Sequence, residues 1–154
     1  MSARLLSAIT SIAGLAMGLQ TQAIAATVVS GDYYEQTSQF HTCNTNTNFC
    51  RLNLQPIPAD KFLDVRRINC NVRTTQPLIE FVMGSGVASG ASSGRNKYYP
   101  FDAPVTAGNT HYYYIDREVE YRVGASPYLF FTATISAAGN ISLSCSVTGK
   151  LSPK

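Results

Sequence analysis

Apolar and polar residues alternate along much of this chain, and after residue 25 no long stretch repeats at the helical period. In "RRINCNV", Ile68, Cys70 and Val72 alternate with Asn69 and Asn71. In "ISLSCSVTGKL", Ile141, Leu143, Cys145 and Val147 alternate with Ser142, Ser144 and Ser146. A period of two is that of a strand with one face on a core and one in water. Short segments rich in Val, Ile, Tyr, Phe and Thr, parted by Gly, Pro, Asn and Asp, predict strands near 27–36, 50–56, 61–74, 77–83, 97–101, 110–115, 118–123, 128–136 and 141–151. "SAAGNIS" predicts a hairpin between the last two, with Gly139-Asn140 at its tip. The expected fold is all-β: an antiparallel β-sandwich of about seven to nine strands.

Two irregularities refine that picture. In "PIPADKFLDVRRINCNV" the prolines Pro56 and Pro58 end the preceding strand, because neither can donate to a ladder. Apolar positions then fall at Leu63 and Val65 but shift to even numbers from Ile68 onward. That change of phase requires an extra residue, so a β-bulge or bend is expected at Arg66–Arg67, or a strand that changes sheets there. "GSGVASGASSGR", from Gly84 to Arg95, reads as a flexible connection. It lacks the Gly-Lys-Ser/Thr ending and the strand–helix context of a phosphate-binding loop.

The first 25 residues follow a different rule. Arg4 precedes an apolar stretch from about Leu5 to Leu19, and Ala23 and Ala25 fit an A-x-A cleavage site. This is the layout of a signal peptide, with a mature start near Ala26. The stretch is shorter than the ~20 residues a membrane span needs, and no second one exists, so no span is expected in the mature chain. Residues 26–154 are then expected to form a single domain that is periplasmic or secreted. The formal charge is +3, and the leader carries Arg4 and no acid, so the mature chain stands at +2. Such a balance gives no strong pull toward nucleic acid or anionic lipid. Charged residues are only 14% of the chain, against a usual ~25%, so neutral polar groups carry its solubility.

The four cysteines, Cys43, Cys50, Cys70 and Cys145, all follow the leader. An even count in an exported domain reads as two disulfides. Cys70 and Cys145 sit on the apolar faces of their strands and are expected to meet across the core, whereas Cys43 and Cys50 flank the polar tract "NTNTNF". The expected pairs are therefore Cys43–Cys50 and Cys70–Cys145. Loop entropy assigns them about 2.5 and about 4.5 kcal/mol. A metal site would need His41, Cys43, Cys50 and a fourth ligand such as His111. Six residues between the cysteines exceed the two to four usual in structural zinc sites, and an oxidising compartment competes for the thiols, so a staple is expected and neither metal nor cofactor.

The segment "CRLNLQPIPADKFLDVRRINCNV" resembles one in small exported bacterial proteins of unknown function, in which a proline–alanine–glycine–lysine turn precedes a strand ending in cysteine. The similarity covers about 25 residues, with Asp60 in place of glycine. It implies an exported β domain, and no catalytic residue carries over.

Two groups of side chains are candidates for chemistry. Asp116, Glu118 and Glu120 alternate on one strand and share a face, where carboxylates can bind calcium or form an acid–base pair. The plainer reading is a solvated face partly neutralised by Arg117 and Arg122. Nine tyrosines cluster as Tyr33-Tyr34, Tyr98-Tyr99 and Tyr112-Tyr113-Tyr114, plus Tyr121 and Tyr128. Neighbours on a strand point to opposite faces, so each cluster must put at least one ring outward, where it can stack on a sugar or anchor a protein. Tyr112 and Tyr114, which share a face, and Tyr98 and Tyr99 are the candidate ligand-binding residues. The expectation is a non-enzymatic binding or structural module with a glycan or protein partner. The alternatives are a small hydrolase using the 116–120 carboxylates and a subunit of a surface fibre.

Overall fold

A computed structural model describes residues 26–43, 45–86, 95–124 and 128–154. The leader therefore lies outside the described residues, as does most of the glycine–serine connection. Among the described residues there are eleven strands: β1 (Ala26–Ser30), β2 (Tyr33–Thr37), β3 (His41–Cys43), β4 (Phe49–Asn53), β5 (Lys61–Thr74), β6 (Leu78–Gly86), β7 (Asn96–Tyr98), β8 (Val105–Ala107), β9 (Thr110–Val123), β10 (Tyr128–Ile135) and β11 (Ile141–Pro153). They form two antiparallel sheets, as expected of a sandwich. The larger has the order β1-β2-β11-β5-β9-β8, with β3 also on β11, and the smaller runs β4-β10-β6-β7. No helix among the described residues is long and apolar enough to cross a membrane.

The core follows the alternation. Leu63, Val65, Ile68 and Val72 of β5, Ile115 of β9, and Leu143 and Val147 of β11 face Phe81 and Met83 of β6 and Leu129 and Phe131 of β10 in one buried cluster. The Phe81 and Phe131 rings stack at 5.9 Å. The change of phase in β5 is a bulge within one sheet. Arg66 is the extra residue against β11, where Val65 pairs with Gly149 and Arg67 with Thr148. Gly149 is needed there, because a Cβ would stand 2.3 Å from the Asp64 carbonyl oxygen.

Several boundaries differ from those the sequence predicts. The 27–36 segment is two strands folded at Gly31-Asp32, where Gly31 has φ +61°. The 110–115 and 118–123 segments are one strand, β9, and the short edge pieces β3 and β8 carry too few residues to show a period. Gly84–Gly86 continue β6 rather than opening the connection.

The expected hairpin over residues 128–151 does not form. β10 pairs with β4 and β6, whereas β11 pairs with β5, β2 and β3, so Ser136–Asn140 crosses between the sheets. A tight hairpin needs a left-handed residue, and among the described residues only Gly31 and Gly108 have positive φ. The crossing is tied instead to its neighbours: Ser136 N–H donates to the Pro77 carbonyl, Gly139 N–H to that of Thr47, and Asn140 N–H to Thr75 Oγ1.

Both disulfides have the expected partners, but their positions are exchanged. Cys70 and Cys145 are direct neighbours on β5 and β11, 4.1 Å apart at Cα, so this bridge lies within one sheet and not across the core. Cys43 on β3 and Cys50 on β4 join the two sheets. Residues on a common face meet laterally as readily as across a core, and alternation alone does not separate the two cases. The pair of disulfides marks an oxidising compartment.

Candidate functional site

Three strands at the centre of the larger sheet present a polar outer face, each by strict alternation. β9 contributes Tyr112, Tyr114 and Asp116; β5, past its bulge, contributes Asn69, Asn71 and Arg73; β11 contributes Ser142, Ser144 and Ser146. Register sets them in rows: Tyr112, Arg73, Ser142 and Thr42; then Tyr114, Asn71 and Ser144; then Asp116, Asn69 and Ser146. The serines are small, so the rings and the longer polar side chains of β9 and β5 stand above them.

Neighbouring side chains hold the rings. The Arg73 guanidinium lies 5.3 Å from the Tyr112 ring centroid, and the Asn69 amide donates to the Tyr114 hydroxyl. Arg67 donates two hydrogen bonds to Asp116, at 2.7 and 2.6 Å. That guanidinium, through its hydrogen bonds and its charge, holds the Asp116 carboxyl below its ordinary range. Thr42 and Ser142 hydroxyls lie 2.8 Å apart, and Ser144 Oγ donates to the Ser38 carbonyl.

The four tyrosines singled out from the sequence do not share one surface. Tyr112 and Tyr114 stand side by side, 38% and 56% exposed, while Tyr98 is 64% exposed on the outer face of the other sheet and Tyr99 is 7% exposed in the core. Burial pushes the Tyr99 hydroxyl up to about 12, and no described group partners its oxygen.

After Arg67, Arg117 also lowers the Asp116 carboxyl through its charge, as expected, but the direct ion pairs of this strand run to other partners. Asp116 pairs with Arg67, Arg117 reaches Asp102 at 3.5 Å, and Arg122 reaches Asp64 at 3.7 Å. Glu118 and Glu120 border an open depression of about 510 Å³ with Arg66, Arg67, Lys97 and Val119. Neither histidine is there. His111 Nδ1 lies 3.1 Å from Thr106 Oγ1, and His41 sits beside the Cys43–Cys50 bridge with its donor atom within 4.8 Å of both sulfurs.

A third surface escaped the sequence reading. On the outer face of the smaller sheet, Phe130, Val82 and Thr132 floor a trough of about 200 Å³ between Phe49 and Arg51 on one side and Tyr98 on the other. The Arg51 guanidinium lies 3.6 Å over the Phe130 ring. The available signal was "YLFFTAT", which is apolar on both faces where a strand between core and water should alternate.

No known protein family, curated protein or solved structure matches this chain. The functional reading therefore rests on its surfaces.

Proposed function

We propose that this is an exported, non-enzymatic binding module of the periplasm or cell exterior. Its ligand is a glycan, bound on the outer face of the larger sheet by Tyr112, Tyr114, Arg73, Asn69 and Asn71. The observation that carries this reading is the placement of two exposed rings beside amide, guanidinium and hydroxyl groups in register. A sugar has the matching two-sided chemistry: an apolar C–H face that stacks on a ring and hydroxyls that exchange hydrogen bonds with amides and serines. A protein hot spot would instead centre on a dry apolar pocket rather than on rows of amides and hydroxyls. The hydrolase alternative draws less support, since both Asp116 oxygens are engaged by Arg67 and no histidine lines the depression beside Glu118 and Glu120.

A glycan array probed with the 26–154 chain, followed by calorimetry on the hits, tests this. The Tyr112→Ala/Tyr114→Ala double variant should keep its thermal midpoint and lose binding by about tenfold or more, since stacked rings contribute on the order of 1 kcal/mol each. An array with no retained glycan, or unchanged affinity in the double variant, overturns the reading.

One observation favours a second reading, assembly into a fibre or dimer. β1 is an edge strand without a charged side chain, and Val28 and Val29 are each 52% exposed. The other edges are short or charged: β8 and β7 have three residues each and β4 carries Arg51. Unprotected edges invite strand pairing. If copies associate there, Val28→Lys should convert a concentration-dependent oligomer in sedimentation into a monomer. A wild-type chain that stays monomeric at millimolar concentration removes this reading.

A further inference from the structure

His41 and Cys43 are two residues apart on β3, so both side chains leave the strand on one side, toward Cys50 on β4 of the other sheet. The imidazole donor and the two sulfurs all lie within 4.8 Å of one another. While the sulfurs are bonded to each other they are poor ligands. We propose that the Cys43–Cys50 bridge is a redox-gated metal clip: on reduction, the two thiolates and the His41 imidazole bind one soft or borderline cation, Zn²⁺ or Cu⁺, and a fourth position stays open to water.

The donor set selects the cation. Two thiolates and an imidazole suit zinc and cuprous copper and do not suit calcium or magnesium, which take oxygen. The geometry asks for little movement. Bonds of about 2.3 Å to sulfur and about 2.0 Å to nitrogen in a tetrahedron put donors about 3.5–3.8 Å apart. Once the bond is broken, side-chain rotation at a Cα separation of 5.4 Å is enough to bring the sulfurs to that spacing.

Each strand is also held by a ladder of its own. Cys43 pairs with Ile141 in the larger sheet, and Cys50 pairs with Ala133 in the smaller one. Between them, the Asn48 and Thr47 carbonyls accept from Ile135 and Gly139. Reduction thus leaves the three ligands facing one another. It is also selective by access, because Cys43 is partly exposed whereas Cys70 and Cys145 are buried together.

The steps balance with a dithiol as reductant. The dithiol passes two electrons and two protons to the bridge and closes its own disulfide, leaving two protein thiols. Each thiol then releases one proton as its sulfur binds the cation, so a divalent ion displaces two protons and His41 binds as neutral imidazole. The metal replaces one tie between the sheets with another.

Cobalt(II), which reports thiolate ligation by a charge-transfer absorption, is the probe. The 26–154 chain is reduced with a limiting amount of dithiol, freed of reductant under argon and checked by alkylation for thiols at residues 43 and 50. Far-ultraviolet circular dichroism follows the fold. The reduced chain should keep its β spectrum and take up one cobalt with a thiolate band, whereas the oxidised chain takes up none. His41→Ala should weaken uptake by at least about tenfold, the loss seen for even a supporting contact to a ligand, and shift the visible bands. Free thiols without a cobalt band overturn the proposal, as does a band indifferent to His41→Ala. Uptake that occurs only as the β spectrum collapses also overturns it.

Discussion

The carboxyl of Asp116 is lowered chiefly by one neighbour on the adjacent strand. The Arg67 guanidinium meets it with two hydrogen bonds, and its carboxyl is lowered from an ordinary value near 3.8. A carboxyl lowered by folding stabilises the folded chain above its unfolded pKa, and that contribution fades as pH falls through the folded value. A carbon-detected NMR titration should therefore place Asp116 below an ordinary aspartate, and Arg67→Ala should move it back up. An unmoved midpoint in that variant would refute the pairing in solution. Two glycines separate backbone strain from crowding. Gly31→Ala, at φ +61° with nothing within 4 Å, should cost about 1–2 kcal/mol in urea unfolding. Gly149→Ala drives a Cβ against the Asp64 backbone and should cost about 3 kcal/mol. Equal losses would mean that β5 and β11 yield at the bulge. The parity of the tyrosines was legible because a strand permits only two directions: Tyr33, Tyr98, Tyr112 and Tyr114 point out while Tyr34, Tyr99 and Tyr113 point in. Their company was not legible, since Arg73 and Asn69 reach the rings across a register that no local pattern encodes.

The bulge in β5 was readable because its cause is local: an apolar phase that shifts between Val65 and Ile68 leaves one residue over. The connection from β10 to β11 was misread because Gly-Asn occurs twice with opposite outcomes. At Gly108-Asn109 the glycine has φ +59° and turns β8 into β9 with two residues, the glycine-first arrangement of a type II′ turn. At Gly139-Asn140 the chain goes between sheets, and what it needs there is hydrogen-bonding partners. Thr75 supplies both ends of one: its Oγ1 accepts from Asn140 N–H and its own N–H donates to the Asn140 carbonyl. Thr75→Val keeps the shape and removes the acceptor, so it should cost about 1–2 kcal/mol, whereas Asn109→Ala in the true hairpin should cost a few tenths. Denaturant midpoints for the two variants compare them directly. A neutral Thr75→Val would mean that water satisfies the crossing as well as threonine does.

The two disulfides divide the work of holding the sandwich together, and removing each should leave a different signature. Cys70–Cys145 closes a separation of 75 residues between β5 and β11, two of the three long central strands of the larger sheet. Its loss releases the largest loop in the unfolded chain, and about 4.5 kcal/mol should go from global stability. Cys43–Cys50 closes a separation of only 7 residues, with an expected loss of about 2.5 kcal/mol. It is nevertheless the bridge that spans the sheets, at the edge where β3 meets β4. Hydrogen exchange separates these effects, because amides report local opening as well as global unfolding. In Cys70→Ala/Cys145→Ala, protection should fall together across β5, β9 and β11, which exchange through the global route. In Cys43→Ser/Cys50→Ser, protection should fall first in β3, β4 and the Ser136–Asn140 crossing, while β5 and β9 stay close to the parent. A uniform loss in the second variant would show that the short bridge sets the stability of the entire sandwich. The ordering of the two bridges by ring size would then be wrong, with the tie between sheets mattering more than the length of chain it closes.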